Sequence, residues 1–246
     1  NIDWNVGRIL ARLDELELAD DTVVIYFSDN GPNGWRWNGD MKGRKGSIDE
    51  GGVRSPFLIR WPGRIAAGKK VPQIAGVIDL LPTLSDIAGI PVIGDKPLDG
   101  KSLEPLLTGD PQDWPDRTIL SFRVRGGDVS GRNQRFRLDA QGRLFELEVD
   151  PGQRVDVASE HPEVAAALQA EANRAGEILE ERGEDDRPYP VGYADFTWLP
   201  ARDAVAEGPS IERSNRFPNS SYFLEWSSTD DPLTWDVEVG EAGEFD

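Results

Sequence analysis

The sequence predicts an α/β protein in which a layered sheet is followed by a small α+β subdomain and a β-rich tail. Apolar residues recur at helical spacing over residues 3–18. A continuous β-branched and aromatic run follows at Thr22–Phe27, which is typical of a strand buried on both faces of a sheet. A second strand at Pro56–Arg60 and a helix at Asp79–Ala88, which ends before Gly89, complete the order of a layered α/β sheet.

The pattern changes after about residue 111, where short elements replace long ones. Strands are predicted at residues 118–123, 134–138 and 144–148, with Asp139–Gly142 as the turn of a hairpin. An alanine-rich helix is predicted at residues 163–181. Its buried side is expected to consist of Val164, Leu168, Ala172, Ala175, Ile178 and Leu179. Residues 234–239 alternate apolar and polar side chains, as a half-buried strand does.

These changes predict four parts: an α/β segment at residues 1–112, the small subdomain at 113–183, a linker at 184–195, and an extension at 196–246. The extension contains the start of a possible β-sandwich module. The chain begins at Asn1 without a methionine and ends inside a strand-like run. We therefore interpret it as a fragment of a longer protein, in which any signal peptide lies upstream.

The composition excludes several classes of function. The net charge of −18 argues against nucleic acid as a partner, because phosphate backbones attract basic proteins. The sequence contains no apolar stretch of the roughly 18 residues that a membrane span needs. The absence of cysteine excludes disulfides, zinc–thiolate sites and an encoded cysteine nucleophile within this chain. The single histidine, His161, excludes a histidine-rich metal site.

The acidic chain contains one basic segment. Between Arg36 and Lys70 stand nine basic residues and three acidic ones, a local net charge of +6. Glycines are interleaved with these charges, and glycine lets backbone N–H groups approach a ligand closely. Two interpretations remain open, a solvated surface patch and a pocket for an anionic group.

Two polar residues, Asp29 and Asn30, directly follow the predicted strand at Thr22–Phe27. Ligand sites in α/β sheets lie at the carboxyl ends of strands. A carboxylate beside an amide carbonyl supplies two hard oxygen donors that suit calcium or magnesium. The alternative is a plain turn, because Asp-Asn-Gly-Pro is also good turn chemistry without a metal.

The glycine-rich stretch from Gly43 offers a candidate anion contact at Lys45, although the spacing is not that of a Walker phosphate loop. The alternative for Lys45 is an exposed surface lysine. Glu50 and Arg54 are interpreted as a structural ion pair that shapes the turn. Arg36, which stands between two tryptophans, is a candidate to bind substrate, with packing of its aliphatic stem as the alternative.

Five motifs stand in a fixed order and together resemble the arylsulfatase-type sulfatase family. They are Phe27–Pro32 (FSDNGP), Gly43–Phe57 (GRKGSIDEGGVRSPF), Arg60–Gly63 (RWPG), Asp79–Leu84 (DLLPTL) and Asp99–Leu107 (DGKSLEPLL). Phe145–Gly152 (FELEVDPG) is similar to a later strand and turn of that family. The resemblance extends over about residues 1–183.

The resemblance implies a partial alkaline-phosphatase-like sheet and the hydrolysis of sulfate esters. It implies that Asp29 and Asn30 are calcium ligands and that Lys45 contacts the sulfate as a catalytic residue, whereas Lys42 and Arg44 do not. The family's nucleophile is a formylglycine made from Cys or Ser in a C/S-x-P-x-R motif, which is absent from this chain. The fragment alone is therefore expected to be inactive. Some relatives carry histidine where Asp49 stands.

The expected partner is a sulfated small molecule or glycan, and the expected location is the periplasm or the cell exterior, where sulfated glycans are found. Two other classes of function remain open at this point. One is a phosphoryl-transfer hydrolase of the same superfold, because a metal and a lysine suit phosphate equally. The other is a non-catalytic carbohydrate-binding protein.

Overall fold

The computed structural model describes residues 1–94, 96–109, 114–123, 127–182, 187–215 and 221–243, with only the backbone of Arg182. They form an α/β structure with several small sheets. Two compact units are present, Asn1–Glu181 and Arg182–Asp246. The predicted division at residues 112, 183 and 195 stays a prediction, and the start of the predicted linker, residues 184–186, lies outside the described residues.

The described helices and strands follow in chain order. The helices are α1 Ile2–Glu15, α2 Glu50–Val53, α3 Leu80–Ala88, α4 Glu104–Thr108 and α5 Pro162–Arg182. The strands of the first unit are β1 Val24–Phe27, β2 Phe57–Arg60, β3 Ile119–Arg123, β4 Asp128–Arg132, β5 Phe136–Leu138 and β6 Leu144–Glu146. Those of the second unit are β7 Tyr189–Val191, β8 Val205–Ala206, β9 Glu212–Arg213, β10 Phe223–Leu224, β11 Leu233–Thr234 and β12 Val237–Val239.

The first unit begins with α1 and the antiparallel pair of β1 and β2, in which Val24 faces Arg60 and Phe27 faces Phe57. The helix is confirmed, although it ends at Glu15, before the left-handed residue Glu17. Strand β1 is only partly buried here: Val24, Ile25 and Tyr26 are half-buried, and Phe27 is 42% exposed. Within the part of the chain that the structure describes, β2 is the single strand paired with β1.

A four-stranded antiparallel sheet of order β3-β4-β5-β6 forms the other half of this unit. Its core is built from Phe136, Leu138, Leu144 and, from α5, Leu168. The hairpin and the helix are confirmed. The sequence analysis missed β4, because Asp-Val-Ser-Gly-Arg has no apolar period and becomes a strand through its pairing with β3. Ile178, predicted on the buried side of α5, is exposed.

Asp79 connects three segments of the first unit around α3. Its carboxylate is fully buried and accepts hydrogen bonds from the backbone N–H groups of Gly76 (2.8 Å) and Lys101 (2.9 Å). The guanidinium of Arg117, itself buried, donates to both carboxylate oxygens. Burial raises the pKa of Asp79, but these hydrogen bonds outweigh it and hold the pKa below its ordinary value. The first residue of the motif at Asp79–Leu84 therefore has a structural role, because it connects these three segments.

The described strands of the second unit form three two-stranded pairs: β8 with β11 and β9 with β10 are antiparallel, and β7 with β12 is parallel. The prediction of one continuous strand at residues 234–239 is wrong, because residues 235 and 236 are not in a strand and separate β11 from β12. At this break the indole N–H of Trp235 donates to the carbonyl of Pro200 (3.1 Å). All three residues of β12 are exposed rather than alternately buried. No helix among the described residues is long and apolar enough to cross a membrane.

We expect Asp79→Ala to lower the free energy of unfolding by about 3–5 kcal/mol, because it leaves the buried Arg117 guanidinium without its counter-charge. Asp86→Ala changes an exposed carboxylate of the same helix and is expected to stay within about 0.5 kcal/mol of the wild type. Urea unfolding of the two variants checks this. Equal losses in both variants would contradict the role of Asp79.

Candidate functional site

Two loops meet beyond the end of β1: loop A, residues 28–33, and loop B, residues 42–53. The N–H of Gly31 donates to the carbonyl of Gly52 (2.8 Å), and the N–H of Lys45 donates to the carbonyl of Pro32 (2.9 Å). A Cβ atom added to Gly31 would lie 1.9 Å from the carbonyl oxygen of Gly51. Glycine is therefore required here because any side chain would push the two loops apart.

This contact brings together three residues that the sequence analysis singled out. Lys45 Nζ lies 3.8 Å from Asp29 Oδ2, and the amide of Asn30 donates to the other carboxylate oxygen of Asp29. Both charged side chains are exposed, Asp29 to 81% and Lys45 to 54%. The hydrogen bond from Asn30, and after it the charge of Lys45, lowers the pKa of Asp29, so its carboxylate stays ionised at neutral pH.

The donor set of Asp29 and Asn30 fits a hard divalent cation in part. Asp29 offers an exposed, ionised carboxylate, and the side-chain amide of the half-buried Asn30 offers one carbonyl oxygen, both hard donors of the kind that calcium binds. In this structure the Asn30 amide directs its N–H group at Asp29, so its oxygen is the atom left for a cation. Calcium takes about 6–8 oxygen ligands. Within the described ranges no group of three or more His, Cys, Asp and Glu side chains is placed to hold a metal ion. The two residues therefore supply at most one side of a calcium shell.

The neighbouring cations of loop B have other contacts. Lys42 Nζ forms ion pairs with Asp49 (3.0 Å) and with Asp139 (3.5 Å), so its charge is already neutralised. The guanidinium of Arg44 lies 5.4 Å from the ring centroid of Trp35 and donates to the carbonyl of Asn33 (3.2 Å). Lys45 is thus the loop B cation whose ammonium group points to the Asp29 carboxylate.

Arg36 and the flanking tryptophans are exposed. The guanidinium that stacks on Trp35 belongs to Arg44, not to Arg36. Among the described residues, Arg36 has no hydrogen bond or ion pair. Its role as a substrate-binding residue stays a prediction.

A buried carboxylate, that of Glu50, holds loop B against the four-stranded sheet. It is only 2% exposed. Arg54 lies 3.2 Å from Oε1, while Arg132 of β4 (3.2 Å) and Arg137 of β5 (3.0 Å) contact Oε2. The backbone N–H of Glu50 donates to Gln153 Oε1 (2.9 Å). The structural ion pair of Glu50 and Arg54 is confirmed, and two further arginines extend it to the sheet.

Asp49, the residue before Glu50, also helps to attach loop B to the rest of the unit. Its carboxylate accepts hydrogen bonds from Ser47 Oγ (2.7 Å) and Gln153 Nε2 (3.3 Å), besides its ion pair with Lys42. Asp49 is therefore turned toward the protein rather than toward the exposed side of loop B.

The sequence analysis missed Arg132, Arg137 and Arg123 as parts of this site. Arg123 Nη2 donates to the carbonyl of Gly46 (2.8 Å), next to Lys45. One signal was available: Arg137 stands between Phe136 and Leu138 in a strand whose three residues are all buried. A buried arginine requires a carboxylate partner, because an unpaired charge in the interior is costly. The partner, Glu50, lies 87 residues earlier in the chain, so the sequence around Arg137 does not identify it.

Residues 1–90, the part of the chain that carries both loops, match the family model described as Sulfatase. This confirms the family that the five motifs indicated. The chain is 45% identical to the steryl-sulfatase of Mus musculus over 121 residues, which are 45% of this chain and 19% of that protein. It is 32% identical to human arylsulfatase A over 205 residues, 68% of this chain and 40% of that protein. The chain spans less than half the length of these curated relatives.

Several solved structures have a fold similar to that of this chain. The crystal structure of Ps i-CgsB aligns with a TM-score of 0.62 at 27% identity and covers 71% of this chain and 41% of that one. A sulfatase described for glycosaminoglycan metabolism in Bacteroides thetaiotaomicron aligns with a TM-score of 0.59 at 26% identity, covering 72% and 43% of the two chains. These structural neighbours are sulfatases, and this chain shares their α/β fold.

We expect the Glu50 cluster to make stability dependent on pH. Burial raises the pKa of Glu50, but the charges of Arg137, Arg132 and Arg54 outweigh it, so the folded pKa lies below the ordinary value of 4.5. A lowered pKa stabilises the fold above the unfolded pKa, and that contribution is lost as the pH falls through the folded pKa.

Glu50→Gln is therefore expected to lower the free energy of unfolding by about 3–5 kcal/mol at neutral pH, with the deficit shrinking below about pH 4.5. Urea unfolding over a pH series measures it. Glu146→Gln, which removes the half-exposed pair with Arg135, serves as the control, with an expected change below about 1 kcal/mol. A deficit for Glu50→Gln that stays constant down to about pH 3 would contradict the prediction.

Proposed function

We propose that this chain supplies part of the active site of a sulfatase, an enzyme that hydrolyses the sulfate ester of an aryl compound or a carbohydrate. The observation that carries the proposal is the placement of the Lys45 ammonium group 3.8 Å from Asp29, beside Asn30, at the end of β1. A cation next to hard oxygen donors is what a sulfate group bound to a metal requires.

The roles of the chain's residues follow from that geometry. Asp29 and Asn30 would hold a calcium ion, which supplies positive charge to the sulfate oxygens when it is bound. Lys45 would donate a charge-assisted hydrogen bond to a sulfate oxygen and stabilise the charge that develops as the S–O bond to the alcohol breaks. Loop B keeps the ammonium in place because Gly31, Gly51 and Glu50 fix its backbone.

The nucleophile is proposed to lie outside this chain. The resemblance implies a formylglycine, and the sequence has no cysteine and no serine in an S-x-P-x-R context. The chain alone is therefore proposed to be inactive. We further propose that the enzyme works in the periplasm or outside the cell.

The relatives and the exposed segment that follows loop A both bear on which sulfate esters are the substrates. Relatives include a protein named N-acetylgalactosamine-6-O-sulfatase, 28% identical over 200 residues, and the structure of Ps i-CgsB contains a neocarrahexaose. Trp35 and Trp37, 66% and 81% exposed, and Arg36 between them could contact the ring that carries the sulfate. These observations favour sulfate esters over the phosphoryl-transfer and binding-protein alternatives.

Asp29→Ala in the full-length enzyme is expected to lower calcium affinity by more than about 100-fold, because changes beyond the direct ligands already cost 10- to 100-fold. Turnover of an aryl sulfate should fall with it. Asp21→Ala, an exposed aspartate before the other end of β1, is the matched control. If Asp29→Ala still binds calcium stoichiometrically and turns over near the normal rate, the assignment of Asp29 as a calcium ligand is wrong.

Lys45→Ala is expected to lower kcat/KM by roughly 10²- to 10³-fold, as the loss of one oxyanion donor does, with little change in stability. Lys42→Ala should instead destabilise the protein, because it removes the ion pair with Asp49, whereas Asp139 keeps its ion pair with Arg143 (2.7 Å). Lys70→Ala, an exposed lysine, is the neutral control. The choice of Lys45 is wrong if its removal lowers kcat/KM no more than the removal of Lys70.

A further inference from the structure

The turn that presents Lys45 is closed by one internal backbone hydrogen bond, from the N–H of Ser47 to the carbonyl of Arg44 (2.9 Å). Gly43 and Gly46, on either side of Lys45, both have left-handed backbone conformations, with φ of 86° and 90°. A Cβ atom added to Gly46 would meet nothing within 4 Å, so no packing restrains the turn at that point. Glycine also carries the largest backbone freedom of any residue. The position of Lys45 must therefore be fixed by hydrogen bonds.

Arg44 and Gly43 tie the first half of the turn to the residues before it, through hydrogen bonds with Asn33 (3.2 Å) and Asn38 (3.0 Å). Two further hydrogen bonds lie at Lys45 itself and at its neighbour Gly46, on opposite sides of the Lys45 side chain. On one side the N–H of Lys45 donates to Pro32 of loop A. On the other side Arg123, the last residue of β3, donates to the carbonyl of Gly46 at 2.8 Å. Arg123 is itself held by Asp128, its partner across the β3–β4 pair, at 3.4 Å. The four-stranded sheet thus holds the turn at the residue that follows Lys45.

We propose that Arg123 is a positioning residue for Lys45. By holding the Gly46 carbonyl it keeps the Lys45 ammonium directed at Asp29, and thereby at the sulfate group of the substrate. The proposal rests on the function proposed above for Lys45, but the restraint on the turn stands on its own contacts. Arg123 is 48% exposed and lies outside the buried cluster of Glu50, so it can be replaced without removing a core interaction.

The first test is hydrogen exchange of the backbone amides of residues 42–48 in the full-length protein. Arg123→Ala is expected to accelerate exchange by at least about tenfold, the effect of losing one hydrogen bond from a charged donor. Arg123→Lys, which keeps the charge and one donor group, is expected to restore part of the protection. Arg135→Ala is the matched control, because Arg135 directly precedes β5 of the same sheet, is 51% exposed and pairs with Glu146 instead of loop B.

The second test is a double-mutant cycle on the hydrolysis of an aryl sulfate. Arg123→Ala is expected to lower kcat/KM about tenfold when Lys45 is present, mainly through kcat, and less than about twofold in the Lys45→Ala background. Effects that are additive, or exchange that is equally fast in Arg123→Ala and Arg135→Ala, would overturn the proposal. If the wild-type enzyme does not hydrolyse the sulfate, the proposed function fails, and the exchange data alone decide whether Arg123 restrains the turn.

Discussion

The geometry of the site depends on one buried carboxylate. Glu50 is removed from water and is stable in that position because Arg54, Arg132 and Arg137 surround it. Two of these arginines come from adjacent strands of the four-stranded sheet, more than 80 residues further along the chain. Loop B therefore reaches its native conformation only when that sheet has formed, because without it the carboxylate would be buried and unpaired.

Loop B is held in different ways on its two sides. Toward loop A, Gly31 approaches the backbone of Gly51 so closely that it leaves no room for a side chain. Gly51 and Gly52 are packed as closely against backbone carbonyls of residues 41–47. Toward the sheet, charged side chains make the contacts. The backbone packing sets the distance between loops A and B. The ion pairs determine that Glu50 of loop B lies against strands β4 and β5. Lys45 stands between the two sides, and its exposed ammonium is free to meet a ligand.

The three neighbouring cations of loop B illustrate how similar residues differ in use. Lys42 neutralises carboxylates of the protein, Arg44 packs on Trp35 and ties the two loops together, and Lys45 points toward Asp29. Their order in the sequence does not distinguish these uses. The Lys42 ammonium already has two carboxylate partners, so little of its charge is available to the proposed sulfate. The Lys45 ammonium lies 3.8 Å from a single exposed carboxylate, so more of its charge remains available.

The sequence by itself determined the local elements and the family. Helical periodicity gave α1, α3 and α5, the glycine and aspartate turn gave the β5–β6 hairpin, and the ordered motifs gave the sulfatase resemblance with Asp29, Asn30 and Lys45. Only the tertiary structure decided the partners. Strand β4 has no apolar pattern and exists through pairing, the exposure of β1 follows from its single described neighbour, and the arginines of Glu50 are distant in sequence. Periodicity reports which face of one element is apolar, whereas charge pairing and strand pairing are set between elements that the chain brings together only when it folds.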